Sequence, residues 1–231
     1  MNLGRLKPDM RTCLLVALSL LLFSSEVHAQ QPLSPADAKD LLAKIRDRRR
    51  AEPDMQADFR EEKAIRLMNK PIVTSGKVWY ETPNKFRREV KGNAPSVTVS
   101  NGHDLWIYYP NFKSVEHYAL GKHSPADVAI AAINTALNVE NVENTFQVTG
   151  SKIDNGYQLD LRPRSPGMKR MFQKFDLWLN KDLVAERTEI TQPNGDQVVT
   201  VYTKQSHASI PRSTFEFSPP PGTEVTNPLG R

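Results

Sequence analysis

The feature that most constrains this chain is a recurrence of short strand-like runs, each closed by a turn signal. Residues 72–81, 86–90, 97–100, 105–109 and 114–118 are β-type runs. Thr82-Pro83-Asn84, Asn93-Ala94-Pro95, Asn101-Gly102 and Pro110-Asn111 punctuate them. Asn-Gly is a strong hairpin signal because both residues tolerate positive φ. The texture begins at Met55, Ala57 and Phe59, which alternate with polar neighbours. It resumes after residue 145 with runs at 146–151, 157–162, 172–179, 184–191, 198–203 and 214–217. The pattern predicts an antiparallel meander of about eleven strands, long enough to roll toward a barrel.

Two segments interrupt it. Ser34-Pro35-Ala36-Asp37 carries an N-cap, a first-turn proline and an early acid, followed by Ala38, Leu41, Leu42 and Ile45 at helical spacing. This helix is expected to end near Arg50. The cluster Arg46, Arg48, Arg49 and Arg50 would complement the negative end of its dipole. A second Ser-Pro-Ala-Asp, at residues 124–127, opens a helix with almost no polar face: Val128, Ala129, Ile130, Ala131, Ala132, Ile133, Ala136 and Leu137. A helix apolar all round needs cover, so it is expected to lie across the sheet or to line a cavity. The tail Pro219-Pro220-Pro221-Gly222 is expected to be extended.

The first 29 residues read as an address. Arg5, Lys7 and Arg11 precede an apolar run from Cys13 to Phe23, and Val27-His28-Ala29 resembles a cleavage site. Cleavage after Ala29 is expected, leaving residues 30–231 as one domain. Cys13, the one cysteine, sits at the start of the run and not in a lipobox. Three basic and two acidic side chains leave with the segment, so a formal +5 becomes +4. That mild charge does not argue for nucleic acid.

Enzyme signatures are missing. The chain contains no Gly-x-Ser-x-Gly elbow, no phosphate-binding Gly-x-x-x-x-Gly-Lys loop and no His-Glu-x-x-His. His103, His117, His123 and His207 have no second ligand at metal spacing, so neither catalysis, metal nor cofactor is expected. The aromatics Trp79, Phe86, Trp106, Tyr108, Tyr109, Phe172, Phe175 and Trp178 crowd the strands; they either pack a core or meet a ligand.

The residues then resemble a known family. Gly76-Lys77-Val78-Trp79-Tyr80-Glu81-Thr82-Pro83-Asn84-Lys85-Phe86 looks like the Gly-x-x-Trp-x-x-x-Pro-x-x-Phe signature of the LolA family of lipoprotein carriers. The stretch from Val99 to Pro110 resembles its Asp-Gly hairpin, and the stretch from Phe215 to Val225 its closing Phe-x-Phe-x-Pro-Pro-x-Gly. The resemblance covers the mature chain in the family's order. It implies an open, incomplete antiparallel barrel lidded by α-helices, and a monomeric periplasmic carrier whose cavity takes lipoprotein acyl chains. It also implies loading by an inner-membrane ABC transporter (LolCDE-like) and delivery to an outer-membrane receptor (LolB-like). The cavity candidates are Phe59, Trp79, Phe86, Trp106, Tyr108, Val128, Ile130, Ile133, Leu137, Leu159 and Phe175. Typical members carry Arg before the turn proline, where it helps to hold the lid shut; here Thr82 stands there, and Arg87 and Arg88 follow Phe86. These three are the lid-latch candidates. A carrier or sensor of another lipid on the same fold is the alternative.

Overall fold

A computed structural model describes residues 30–120 and 142–228. Val128, Ile130, Ile133 and Leu137 lie outside the described residues. The strands are β1 Gln31–Pro32, β2 Asp54–Ala64, β3 Ile72–Glu81, β4 Lys85–Lys91, β5 Ser96–Ser100, β6 Asp104–Tyr109, β7 Ser114–Ala119, β8 Phe146–Ile153, β9 Gly156–Pro163, β10 Lys174–Asn180, β11 Ala185–Thr191, β12 Gln197–Ser206 and β13 Glu224–Thr226. They form a single sheet in the order β1-β8-β9-β10-β11-β12-β2-β3-β4-β5-β6-β7-β13. The sheet is open: β1 and β13 are its edges. All pairings are antiparallel except β13 on β7.

Helix α1, Pro35–Ala51, starts where its sequence requires. Ser34 caps it by accepting from the Asp37 amide at 3.1 Å. Its apolar stripe, Ala38, Leu41, Leu42 and Ile45, is buried against the inner face of the sheet. Phe59, Tyr80, Phe86, Phe146, Leu159, Leu161, Phe175 and Leu177 join that stripe in one core. Each such fully buried side chain contributes about 1.5–3 kcal/mol by leaving water.

Gly76 sits in the middle of this face, paired with Phe59 on one side and Val90 on the other. A β-carbon there would collide with the Glu89 carbonyl oxygen and press on the Phe59 ring. The family-signature glycine therefore permits a close approach of two strands. Gly102 serves a turn: its φ is 95°, and the Asn101 side chain accepts from the amides of His103 and Asp104, both at 2.8 Å.

The C-terminal segment differs from the sequence expectation. Residues 214–217 do not form a strand; Arg212–Phe215 is a 3-10 turn. The chain after β12 crosses the outer face of the sheet from β2 to β7. His207 Nδ1 lies 2.8 Å from the Asp54 carbonyl oxygen, and the Ile210 amide donates to the Asp54 carboxylate at 3.1 Å. Phe215 is buried against β4, and Phe217 lies against Trp106 and Tyr108. The tail then ends beside β7, where the Glu224 amide donates to the Lys113 carbonyl at 2.9 Å. Docking on these partners explains why 214–217 does not extend: Phe215 must turn into the sheet to bury its ring.

Candidate functional site

Side chains alternate across a strand, so register decides which aromatics share a surface. Gly76, Val78 and Tyr80 of β3 point inward. Their partners Phe59, Ala57 and Met55 on β2, and Val90, Arg88 and Phe86 on β4, must do the same. Through β10 and β9 the same face continues as Phe175, Leu177, Leu161 and Leu159. Phe59, Phe86, Leu159 and Phe175 are thus brought together on the inner face, each at most 3% exposed.

Trp79, Trp106 and Tyr108 are not with them, and their expected place in the cavity is corrected. Trp79 pairs with Arg87, Trp106 with Val99 and Tyr108 with Val97, all on the outer face. The Lys77 ammonium lies 5.6 Å from the Trp79 ring. Phe217 packs on Trp106 and Tyr108 with centroid separations of 6.1 and 6.0 Å. Val99, Val115, Ile210 and Phe215 are buried apolar residues outside the main core. Trp106 and Tyr108 clamp the C-terminal segment through Phe217. His117 also belongs to this face, stacked on Trp106 and placed between Asp104 at 2.8 Å and Asn227 at 3.0 Å.

The latch candidates separate in the same way. Arg87 points outward, bonding Glu89 at 2.8 Å and the Thr214 carbonyl at 3.2 Å, so it fastens the C-terminal segment and not a lid. Thr82 holds the exit of α1: its amide and its hydroxyl donate to the Pro53 carbonyl at 3.0 and 3.2 Å. Arg88 alone reaches the inner face. Its guanidinium lies 4.2 Å from the centre of the Phe59 ring, and Nη2 is 2.9 Å from Glu61 Oε2. That contact is ionic without directed hydrogen-bond geometry. Glu61 also accepts from the Thr200 hydroxyl at 3.2 Å.

Two groups escaped the sequence reading. Arg49 is the one buried cation among the described residues, with Nη1 3.5 Å from the Met55 sulfur. Loss of hydration lowers its pKa, and the neighbouring Tyr80 opposes the shift. In sequence it was indistinguishable from the arginines beside it. On the inner face of β7, Tyr118 donates to Glu116 at 2.7 Å, and its phenol is pushed up to about 12 by loss of hydration first and by Glu116 second.

Beyond β4 the inner face is still buried at Ser100 and Leu105, and farther along it loses cover from the described residues. Thr98, Ile107, Tyr109, Glu116 and Tyr118 share it through the β5-β6-β7 register and are only half-buried. At the other side a groove of about 200 Å³ runs between α1 and β8, lined by Ala38, Leu42, Phe146 and Val148 among others. No group of acids and histidines that could hold a metal occurs among the described residues, and no described helix is long and apolar enough to cross a membrane.

The geometry defines a class of protein: a half-rolled, open antiparallel sheet with an apolar inner face and a helix laid across it. The model of the "Outer membrane lipoprotein carrier protein LolA" family matches residues 53–218. The chain belongs to the LolA family. An outer-membrane lipoprotein carrier protein from Legionella pneumophila (strain Lens) is 23% identical over 209 residues, which is 89% of this chain and 95% of that one. Another, from Dechloromonas aromatica (strain RCB), is 26% identical over 176 residues, covering 74% and 80%. An uncharacterized conserved protein from Thermus thermophilus shares the fold, with a TM-score of 0.51 at 13% identity and coverage of 83% and 99%.

Proposed function

We propose that the protein is a periplasmic carrier. It takes the acyl chains of lipoproteins against the inner face of its sheet and shuttles them from the inner to the outer membrane. The observation that carries this reading is the inner face itself. It is mostly apolar from β8 through β4, interrupted by Thr188, Thr200 and the Arg88–Glu61 pair, and continues, half-covered, over Ile107 and Tyr109. Sheltering a lipid is worth about 0.8 kcal/mol per CH₂, so two or three chains need a surface of this extent. Phe59, Phe86, Leu159 and Phe175 form its floor, and the apolar residues Val128, Ile130, Ile133 and Leu137 of the following segment are further cavity candidates. The role is binding and not catalysis, and no cofactor is assigned to it. Residues 1–29 direct export and are removed, and residues 30–231 act as a monomer. Loading by an ABC transporter of the LolCDE kind and delivery to a LolB-like receptor belong to the same proposal, and membership of the LolA family supports them.

A second reading, a carrier of a different lipid, is favoured by one observation: the ion pair Arg88–Glu61 stands within the inner face. A charged pair there would suit a cargo with a polar group near its chains.

Mass spectrometry of material co-purifying with the protein from the periplasm, without detergent, separates these readings. Acylated lipoproteins support the first. A free glycolipid or phospholipid supports the second. Absence of any acylated species in protein that melts cooperatively contradicts both.

A further inference from the structure

One end of the sheet differs chemically from the other. The strand registers bring the connections 65–71, 92–95, 110–113, 164–173 and 192–196 to the same rim. Bonds between turns hold it together. The Asn111 amide donates to the Asn93 carbonyl at 2.9 Å, and the Arg66 backbone N–H donates to the Asp196 carboxylate at 3.0 Å.

Five of the seven exposed large hydrophobic residues among those described stand at this rim: Leu67, Met68, Ile72, Val73 and Phe112. Leu67 and Phe112 are extreme, at 94% and 80% exposed. They top two hairpins, separated by about four strand spacings, or roughly 19 Å. The five connections also carry six basic side chains, Arg66, Lys70, Lys113, Arg164, Lys169 and Arg170, against one acid, Asp196. Asp196 is already engaged by the Arg66 amide and the Asn194 side chain. Lys70, Lys113, Lys169 and Arg170 have no carboxylate partner among the described residues. At the opposite rim the connections 82–84, 101–103, 154–155 and 181–184 carry Lys181 against Asp154 and Asp182.

We propose that this basic rim docks on an anionic phospholipid bilayer, with Leu67 and Phe112 entering the interface and the surrounding cations meeting lipid phosphates. Charge complementarity identifies the partner. Apolar side chains that crown two separate hairpins, four on the first and Phe112 on the second, ringed by cations, reach a plane better than they fill a pocket. A protein partner would want a contiguous apolar patch. The reading does not depend on what the inner face carries.

The test is flotation of the purified protein with large vesicles. One set contains phosphatidylglycerol and phosphatidylethanolamine, the other phosphatidylcholine alone. The protein is expected to float with the anionic vesicles and not with the neutral ones, and to detach in 0.5 M salt as screening sets in. Leu67→Ser with Phe112→Ser should weaken partitioning at least tenfold. Lys70→Gln and Lys113→Gln should each weaken it about fivefold. All four side chains lie at the exposed rim, so melting temperature and uptake of a hydrophobic fluorescent probe should not change. Absence of flotation with anionic vesicles overturns the proposal, as does equal flotation with both sets. Flotation that needs the lysines yet ignores Leu67 and Phe112 also overturns it, and points to a surface for an acidic protein.

Discussion

The guanidinium of Arg88 stands over Phe59 with its central carbon 4.2 Å from the ring centre, while Nη2 of the same group faces Glu61 across the β2–β4 interval. A charge is thereby admitted to an apolar surface because an aromatic face and a carboxylate both receive it. The pair is about a quarter exposed on each side, so its worth is well below that of a fully buried pair. Arg88→Met should cost about 1–2 kcal/mol by leaving Glu61 with Thr200 alone. Adding Glu61→Met should recover most of that loss. Chemical denaturation of the parent, both single variants and the double variant measures it, and a double variant as weak as the worse single one would contradict the coupling.

The division of aromatics between two faces gives a second expectation. Phe86→Glu should reduce uptake of a hydrophobic probe because it places a charge on the inner face. Trp106→Leu should lower the melting temperature by loosening the C-terminal segment, yet leave probe uptake at the parent level. Fluorescence titration with parallel thermal melts reads both quantities.

Strand alternation and turn chemistry make most strands, α1 and its buried stripe legible in the sequence. The face of each aromatic is not. Trp79, Trp106 and Tyr108 are large and apolar, as are Phe59 and Phe86, and a period of two says only that neighbours are opposed. What covers the outer set, Phe215 and Phe217, comes from a segment roughly a hundred residues away in sequence for Trp106 and Tyr108. No local pattern announces such a contact. The same distance hid the role of Arg87, whose partner is the Thr214 carbonyl. Thr82 was legible as a departure from the family signature, but its partner Pro53 was not. The short edge strands β1 and β13 carry too few residues for a periodic signal.

Gly76 should tolerate nothing larger. Gly76→Ala puts a methyl group against the Glu89 carbonyl and the Phe59 ring, and overpacking of this kind costs about 1–3 kcal/mol. Because the obstacle is backbone, the upper part of that range is expected. An unchanged denaturation midpoint would mean that β3 and β4 separate without cost.

Asp176 supplies a dependence on pH. Burial raises its pKa, and the Lys174 ammonium at 3.0 Å only partly opposes this. A carboxyl with a higher pKa folded than unfolded contributes stability in its protonated form. That contribution is complete below the ordinary carboxylate value and is lost as pH rises through the folded value. Asp176→Asn, which stays neutral, should therefore gain on the parent as pH rises from 3 to 7. Thermal melts across that range show the gain as a widening difference in Tm; a difference that narrows would reverse the assignment.

The central claim is that cargo lies on the inner face and not the outer one. Photocrosslinking from a benzoylphenylalanine placed at single positions in cells tests it most directly. Placement at Phe86 or Ile107 should yield adducts with acylated lipoproteins, and placement at Trp79 or Tyr108 should yield none. Adducts from the outer positions, with the inner positions silent, would contradict the account.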